Sequence, residues 1–306
     1  MPLCVRCQIL FAVLALCIIP GHSAVASVEA LAEIPPSLRV HAFYYPWYAN
    51  PTTDGRWGHW NHPILLREGN GGHYDPPANI GAGFYPQLGC YSSSSAADLA
   101  VHMRQLRAAR AGVISVSWWG RGSAEDKVMP KVLEAAGAHG IRVSFHIEPY
   151  GGRGAASLKQ DIEYIVNRYG SSPAFYRHGA GPGRPGMPFF YVYDSYLTPA
   201  AEWAKVLAPG GEDSIRDTGL DAVVVALYVK DGDESFVTRG GFDGCYTYFA
   251  TDGFTHGSTP RNWPRIAEWA RREGKIFIPS VGPGYDDTRI RPWNERNRRD
   301  RKNGAY

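Results

Sequence analysis

Two short segments hold acid and imidazole groups at spacings that chemistry can use. "FHIEPY" (145–150) sets His146 and Glu148 two residues apart, and "YVYDSY" (191–196) places Tyr193 beside Asp194. Each closes an apolar run, and in an extended chain residues two apart share a face. Two carboxyl groups at the ends of neighbouring strands are the residue types that acid–base work on a glycosidic bond requires. Read from the residues alone, Glu148 and Asp194 form that pair. The structural alternatives are an ion pair of Glu148 with a neighbour such as Arg153, and a packing or salt-bridge role for Tyr193 and Asp194.

Rings surround these groups in the sequence. "HAFYYPWYAN" (41–50) has Phe43, Tyr44, Tyr45, Trp47 and Tyr48, and "DGRWGHWNHP" (54–63) adds Trp57, His59, Trp60 and His62. Indoles and phenols offer an apolar face with a polar edge. Sugars present apolar C–H faces and many hydroxyls, so such rings suit the walls of a sugar-binding cleft. Alternation predicts that about half of the strand residues, Phe43 and Tyr45 among them, point into a core instead.

The elements that must position these groups follow from the apolar pattern. Seven runs read as strands, at 40–45, 111–119, 141–148, 188–194, 220–229, 242–249 and 275–281. They are rich in Val, Ile, Phe and Tyr, as strands buried on both faces are. Helical patterns fall between most of them. Residues 95–111 place Leu99, Met103, Leu106 and Ala109 on one face, 124–140 end at a capping glycine, and 157–170 start at a Ser cap. Residues 198–207 and 261–274 repeat the theme, while the crossover after the fifth strand has no clear pattern. Alternating strand and helix predicts a parallel sheet, and seven such strands predict an α/β fold of the (β/α)8 TIM-type barrel class. No Gly-x-Gly-x-x-Gly turn follows the first strand, against a dinucleotide site. A barrel puts its active site at the C-terminal strand ends, where Trp118, Trp119, His146, Glu148, Tyr193, Asp194, Tyr246 and Tyr248 fall. An eighth strand has no counterpart, because 289–306 is polar, basic and loop-like, so the barrel reads as truncated before strand eight.

Residues 1–26 read as a targeting segment. Arg6 precedes an apolar run of about eleven residues, and Ala24-Val25-Ala26 fits a cleavage point. The run is shorter than the roughly 20 residues that span a bilayer, so the expectation is a cleaved secretory signal, with a short signal-anchor as the alternative membrane contact. Cys4, Cys7 and Cys17 fall within it. Cys90 and Cys245 remain, either paired or as two buried thiols. A net charge of +3 does not argue for nucleic acid, and none is expected as a partner.

The longer motifs resemble one family. "HAFYYPWYANP", "DGRWGHWNHP", "FYPQLGCYSS", "HMRQLRAARAGVISVSWW", "FHIEPYGGR", "FYVYDSY", "GFDGCYTYFATDGF" and "FIPSVGPGYDDTRIRPWNERNRRDRKNGAY" are similar, in order, to the glycoprotein endo-alpha-1,2-mannosidase family, over about residues 38–306. The resemblance implies a (β/α)8 barrel that cleaves an internal alpha-1,2-mannosidic bond of glucosylated high-mannose N-glycans with retention. It implies a mannose-containing glycan as the partner, no metal or cofactor, and work in the secretory pathway, in the Golgi lumen, at the Golgi membrane or after secretion. One carboxylate of the family acts as base on the substrate's own 2-hydroxyl, giving a 1,2-anhydro sugar, and the other serves as acid and then base. That pair sits in an Asn-Glu-Trp-His-Glu-Gly motif at the end of strand eight, which these 306 residues do not contain. Glu295 and Asp300 belong to the preceding loop and do not replace it. The expectation is therefore an inactive fragment, or a non-catalytic glycan-binding protein. The resemblance makes Glu148, Tyr45 and Tyr246 supporting residues near the scissile bond. It places His146, Tyr193 and Asp194 on the sugar, Trp119 (Tyr in the animal enzymes) on the outer sugar, and Tyr285, Arg291 and Trp293 on the cleft border. Arg291 has a second reading, as a brace for a loop carboxylate.

Overall fold

A computed structural model describes residues 35–248, 252–282 and 284–301. The expected signal at 1–26 lies outside them. Among the described residues no helix is long and apolar enough to cross a membrane.

Seven parallel strands form one curled sheet. They are β1 (Ser37–Tyr44), β4 (Ala111–Trp118), β5 (Arg142–Ile147), β7 (Met187–Val192), β8 (Val223–Leu227), β9 (Gly244–Tyr246) and β10 (Ile276–Ile278), paired in that order. A hairpin of β2 (Pro63–Leu66) and β3 (Gly69–His73) sits in the long loop after β1, and a two-residue β6 (Arg177–His178) pairs antiparallel with β7. Helices follow the strands: α1 (Pro51–Asp54), α2 (Ala96–Ala108), α3 (Ala124–Ala138), α4 (Ala155–Tyr169), α5 (Ala200–Leu207), α6 (Asp233–Arg239) and α7 (Trp263–Arg272). This is the alternating architecture of a (β/α)8-type barrel. No eighth parallel strand joins β10 to β1 among the described residues.

Strand alternation divides the interior into two layers. Ile114, Val116, Trp118, Val143, Phe145, Ile147, Phe190 and Val192 point outward into the core shared with the helices. Val113, Phe189, Tyr191, Val223, Val225, Leu227 and Tyr246 fill the lumen. Each strand is therefore largely apolar on both faces, with Ser115, Ser117, Ser144 and His146 as buried polar exceptions on β4 and β5, which explains the long apolar runs. Ser95 and Ser123 cap α2 and α3, accepting from the amides of Asp98 (3.3 Å) and Asp126 (3.1 Å).

Several element boundaries differ from expectation. Ser157 does not cap α4, which starts two residues earlier. Gly154 is its N-cap, and the Ser157 hydroxyl reaches back to the Gly154 amide (2.8 Å) as the reciprocal half of a capping box. Ala109 lies past the end of α2 and is exposed. The crossover after β8 is carried by α6, too short to show a periodic pattern. Cys90 and Cys245 are both free, so the pairing does not form, and only Cys245 is fully buried.

Candidate active site

The C-terminal strand ends bring together a linear chain of polar groups. Ser117 on β4 and His146 on β5 are register partners, and Glu148 follows two residues beyond His146 on the same inward face. The Glu148 carboxylate, 4% exposed, accepts from the Ser117 hydroxyl (2.8 Å) and faces His146 Nδ1 (2.9 Å). His146 Nε2 meets the Tyr246 hydroxyl at 2.8 Å. An ionised carboxylate only accepts. With Glu148 ionised, Nδ1–H donates to it, Nε2 is left as an acceptor, and the Tyr246 O–H donates to Nε2. Both bonds fall on the same carboxylate oxygen, Glu148 Oε1.

Phenols ring this chain. Tyr45 and Tyr248 hydrogen-bond through their hydroxyls. The Tyr193 ring lies 4.9 Å from that of Tyr248 and 5.2 Å from the His146 imidazole. Burial pushes the phenols of Tyr45, Tyr193, Tyr246 and Tyr248 above their ordinary range, and the nearby Glu148 charge raises each further. They remain neutral hydrogen-bonding groups at any ordinary pH. Phe43 completes the floor, 5.1 Å from His146. A cleft of about 560 Å³ opens beside it between β1 and β10, lined by Phe43, Tyr45, Tyr191 and Tyr248.

Glu148 thus has Ser117 and His146 as its partners. Arg153 instead donates from Nη2 to the Asp194 carbonyl (3.0 Å) and lies over the Trp203 ring. The Asp194 carboxylate accepts from Tyr196 (2.8 Å), and its backbone is left-handed at φ 46°. Trp119 stands at the rim, 39% exposed, directly after the fully buried Trp118. Arg291 holds Asp287 (3.0 Å), as the bracing alternative has it. Burial and the Asp287 carboxylate raise the Tyr285 phenol, and Tyr285 pairs backbone-to-backbone with Arg299. Trp293 is 47% exposed with Arg67 over its ring. These last three lie outside the hydrogen-bonded cluster.

The rings after β1 have divided roles. Trp60 is buried, donates to the Tyr91 carbonyl (2.9 Å) and packs on Tyr48, while Tyr44 turns outward to His102 on α2 (3.0 Å). They are core rather than cleft wall. Tyr45, Trp47 and His59 instead form a continuous stack, with centroids 4.6 and 4.4 Å apart.

Sequence patterning does not single out Ser117, although a serine on the inward face of an apolar strand is a detectable signal. Nor does it find Asp126, 4% exposed at the start of α3. Its carboxylate accepts from Trp118 Nε1 (3.0 Å), the Gly122 amide (2.9 Å) and the hydroxyls of Tyr164 and Tyr169 (both 2.8 Å), which fixes the loop that carries Trp119. Those donors hold the Asp126 carboxyl below its usual range against the opposing effect of burial. Among the described residues no group of three His, Cys, Asp or Glu side chains could hold a metal ion.

The family model for glycosyl hydrolase family 99 matches residues 37–306. The glycoprotein endo-alpha-1,2-mannosidase of Rattus norvegicus is 44% identical over 299 residues, covering 93% of this chain and 64% of that protein. The Xenopus laevis protein of the same name is 46% identical over 285 residues, with 89% and 63% covered. This chain thus spans somewhat under two thirds of the length of these relatives. The family 99 endo-alpha-mannosidase of Bacteroides thetaiotaomicron superposes with a TM-score of 0.83 at 45% identity, over 88% of this chain and 78% of that one. With its fold, strand-end carboxylate and ring of phenols in place, the chain belongs to glycosyl hydrolase family 99.

Proposed function

We propose that residues 35–301 form the substrate-positioning part of an endo-acting hydrolase for an internal alpha-1,2-mannosidic bond of glucosylated high-mannose N-glycans. The observation that carries this reading is the Ser117–Glu148–His146–Tyr246 chain set among buried, neutral phenols at the C-terminal strand ends. A carboxylate and several fixed hydroxyls suit directional bonding to sugar hydroxyls. In this reading Glu148 holds a hydroxyl next to the scissile bond and His146 and Tyr246 orient it. Tyr45, Tyr193 and Asp194 border the reacting sugar, and Trp119 stacks on the outer one. Tyr285, Arg291 and Trp293 border the far side. Retention through a 1,2-anhydro sugar and work in the secretory pathway, in the Golgi lumen, belong to the same proposal. The apolar run at 9–19 supports that location.

The Asn-Glu-Trp-His-Glu-Gly motif is not among these 306 residues. A polypeptide of this sequence assayed by itself is therefore expected to bind such a glycan and not to cleave it, which is the glycan-binding alternative in operational form. Incubation of the purified polypeptide with a glucosylated high-mannose N-glycan, followed by mass spectrometry, tests this. Release of a glucosyl-mannose disaccharide by the polypeptide alone would overturn the assignment of the acid and base to that motif.

A further inference from the structure

The loop between β4 and α3 carries Trp119, and the loop between β5 and α4 opens at Glu148. Asp126 holds the first of these loops, but Asp161 holds both. Asp161 lies on α4 and is 4% exposed. Its carboxylate accepts from the Tyr150 hydroxyl of the β5–α4 loop and lies 3.7 Å from Arg121 Nε of the β4–α3 loop. Arg121 is anchored beside it by a bond from Nη2 to the Gln160 carbonyl. The same guanidinium covers the Tyr164 ring at 5.0 Å, and the Tyr164 hydroxyl donates to Asp126. The Tyr150 ring in turn lies against Gly120, the residue after Trp119. Gly120 is left-handed at φ 97°, and a Cβ there would meet that ring at 3.4 Å. Backbone bonds tie Tyr150 to the site: its amide donates to the Glu148 carbonyl (2.9 Å), and the Glu148 amide donates to the Trp118 carbonyl (3.0 Å).

Asp161 stands between two charge states. Burial favours its neutral acid, the Tyr150 hydroxyl and the Arg121 guanidinium favour its anion, and the Asp126 charge on α3 opposes the anion. The balance pushes its pKa up to about 6. Tyr150, Arg121 and Asp126 are the titratable and charged groups that face it. Burial and the bond to Asp161 raise Tyr150 itself to about 12, so the phenol stays neutral. As an anion, Asp161 attracts Arg121 and accepts a charge-assisted bond from Tyr150. Protonation removes the attraction and leaves a neutral bond of about half the strength. Both loops then lose the anchor that they share.

We propose that Asp161 is a positioning residue whose charge regulates the glycan site: the anion locks the Trp119 and Glu148 loops together for binding, and the neutral acid releases them. The inference rests on the glycan reading above and deepens it with a pH-dependent control. It also separates two effects of acid. The fold favours neutral Asp161, so acid strengthens this group's share of stability while it weakens binding. A merely structural role would move the two together.

The test is calorimetric titration of the purified chain with an alpha-1,2-linked mannose oligosaccharide at a series of pH values from about 7.5 to about 5. The expected result is an affinity that falls about fivefold towards acid, at the low end of coupling between two sites, with a midpoint near 6. Asp161→Asn abolishes this step and holds the affinity near its acid value throughout. Its thermal midpoint at about pH 7.5 is not lowered, because the substitution removes a buried charge. Arg121→Gln removes the cation that favours the anion and moves the step to higher pH. A step that survives in Asp161→Asn, one that stays in place in Arg121→Gln, or an affinity that does not change with pH overturns the control by Asp161 while leaving the glycan reading intact. Absence of binding at every pH overturns the glycan reading and this inference with it.

Discussion

The Glu148 carboxylate works through what it is bonded to. Ser117 and His146 both bond its Oε1, and Tyr246 holds the far nitrogen of the imidazole. Tyr246→Phe would leave Nε2 without its donor, at a cost of about 1–3 kcal/mol for a buried group that loses its partner. Ring rotation in that variant should loosen Glu148, so glycan affinity and the unfolding midpoint should both fall. Chemical denaturation and titration on the same preparation would show this. A different histidine sets the acid limb of stability. His41 is partly buried against Tyr191 (2.7 Å), and burial pushes its pKa down to about 4, with the His178 charge acting the same way against the Leu38 carbonyl. The unfolded value is about 6.5, so between about 4 and 6.5 the unfolded chain binds the extra proton. The stability that His41 contributes is therefore fully present above pH 6.5 and is lost as pH falls through 4, a swing on the order of 3 kcal/mol. Asp161, pushed up to about 6 chiefly by burial, acts in the opposite sense, with its contribution present at low pH and lost as pH rises towards 6. Urea midpoints from pH 7 to 4 should fall less steeply in His41→Asn than in the unsubstituted chain.

Elements place these residues, and the loop between β4 and α3 shows how. It must turn Trp118 into the core and Trp119 out to the rim within one residue. Asp126 does this by accepting four hydrogen bonds, two from the turn itself (Trp118 Nε1 and the Gly122 amide) and two from Tyr164 and Tyr169 on α4. Asp126→Asn keeps the shape and removes the charge, and should destabilise by about 2–3 kcal/mol. The iodide quenching of Trp119 fluorescence should change with it, a readout that a purely global loss of stability would not give below the unfolding transition. Strand spacing is equally constrained at Gly244. A Cβ there would run into the Ile276 carbonyl of β10, so Gly244→Ala should push β9 and β10 apart and unfold the chain at lower temperature by calorimetry. The sheet was legible in the sequence because strands buried on both faces produce predominantly apolar runs, broken only by inward-facing groups such as Ser117 and His146. The α6 crossover and the β2–β3 hairpin were not, since seven residues carry too little periodicity and "GNGGH" has no side-chain pattern at all. The strand-end positions of Glu148, His146 and Tyr246 could be read from period two. Their mutual bonding, and the exclusion of Arg153 from it, could not, because register across three strands is a tertiary fact.

At the scale of the whole molecule, the described sheet has two edges. β1 and β10 lie at its ends, and Leu38, Val40 and the 81%-exposed Val281 flank the opening between them. Exposed apolar strand edges pair with other chains. The polypeptide studied by itself should therefore associate with rising concentration, visible by light scattering, and dilution should reverse the early stage. The same opening gives access to the phenols around Glu148, so the site is expected to bind sugar within this polypeptide. The most direct test of the account is calorimetric titration with an alpha-1,2-linked mannose oligosaccharide, in the unsubstituted chain and in Glu148→Ala. Saturable one-to-one binding that weakens at least tenfold in the variant is the predicted result. No binding, or binding that Glu148→Ala leaves unchanged, would contradict the claim that these strand ends form a glycan site.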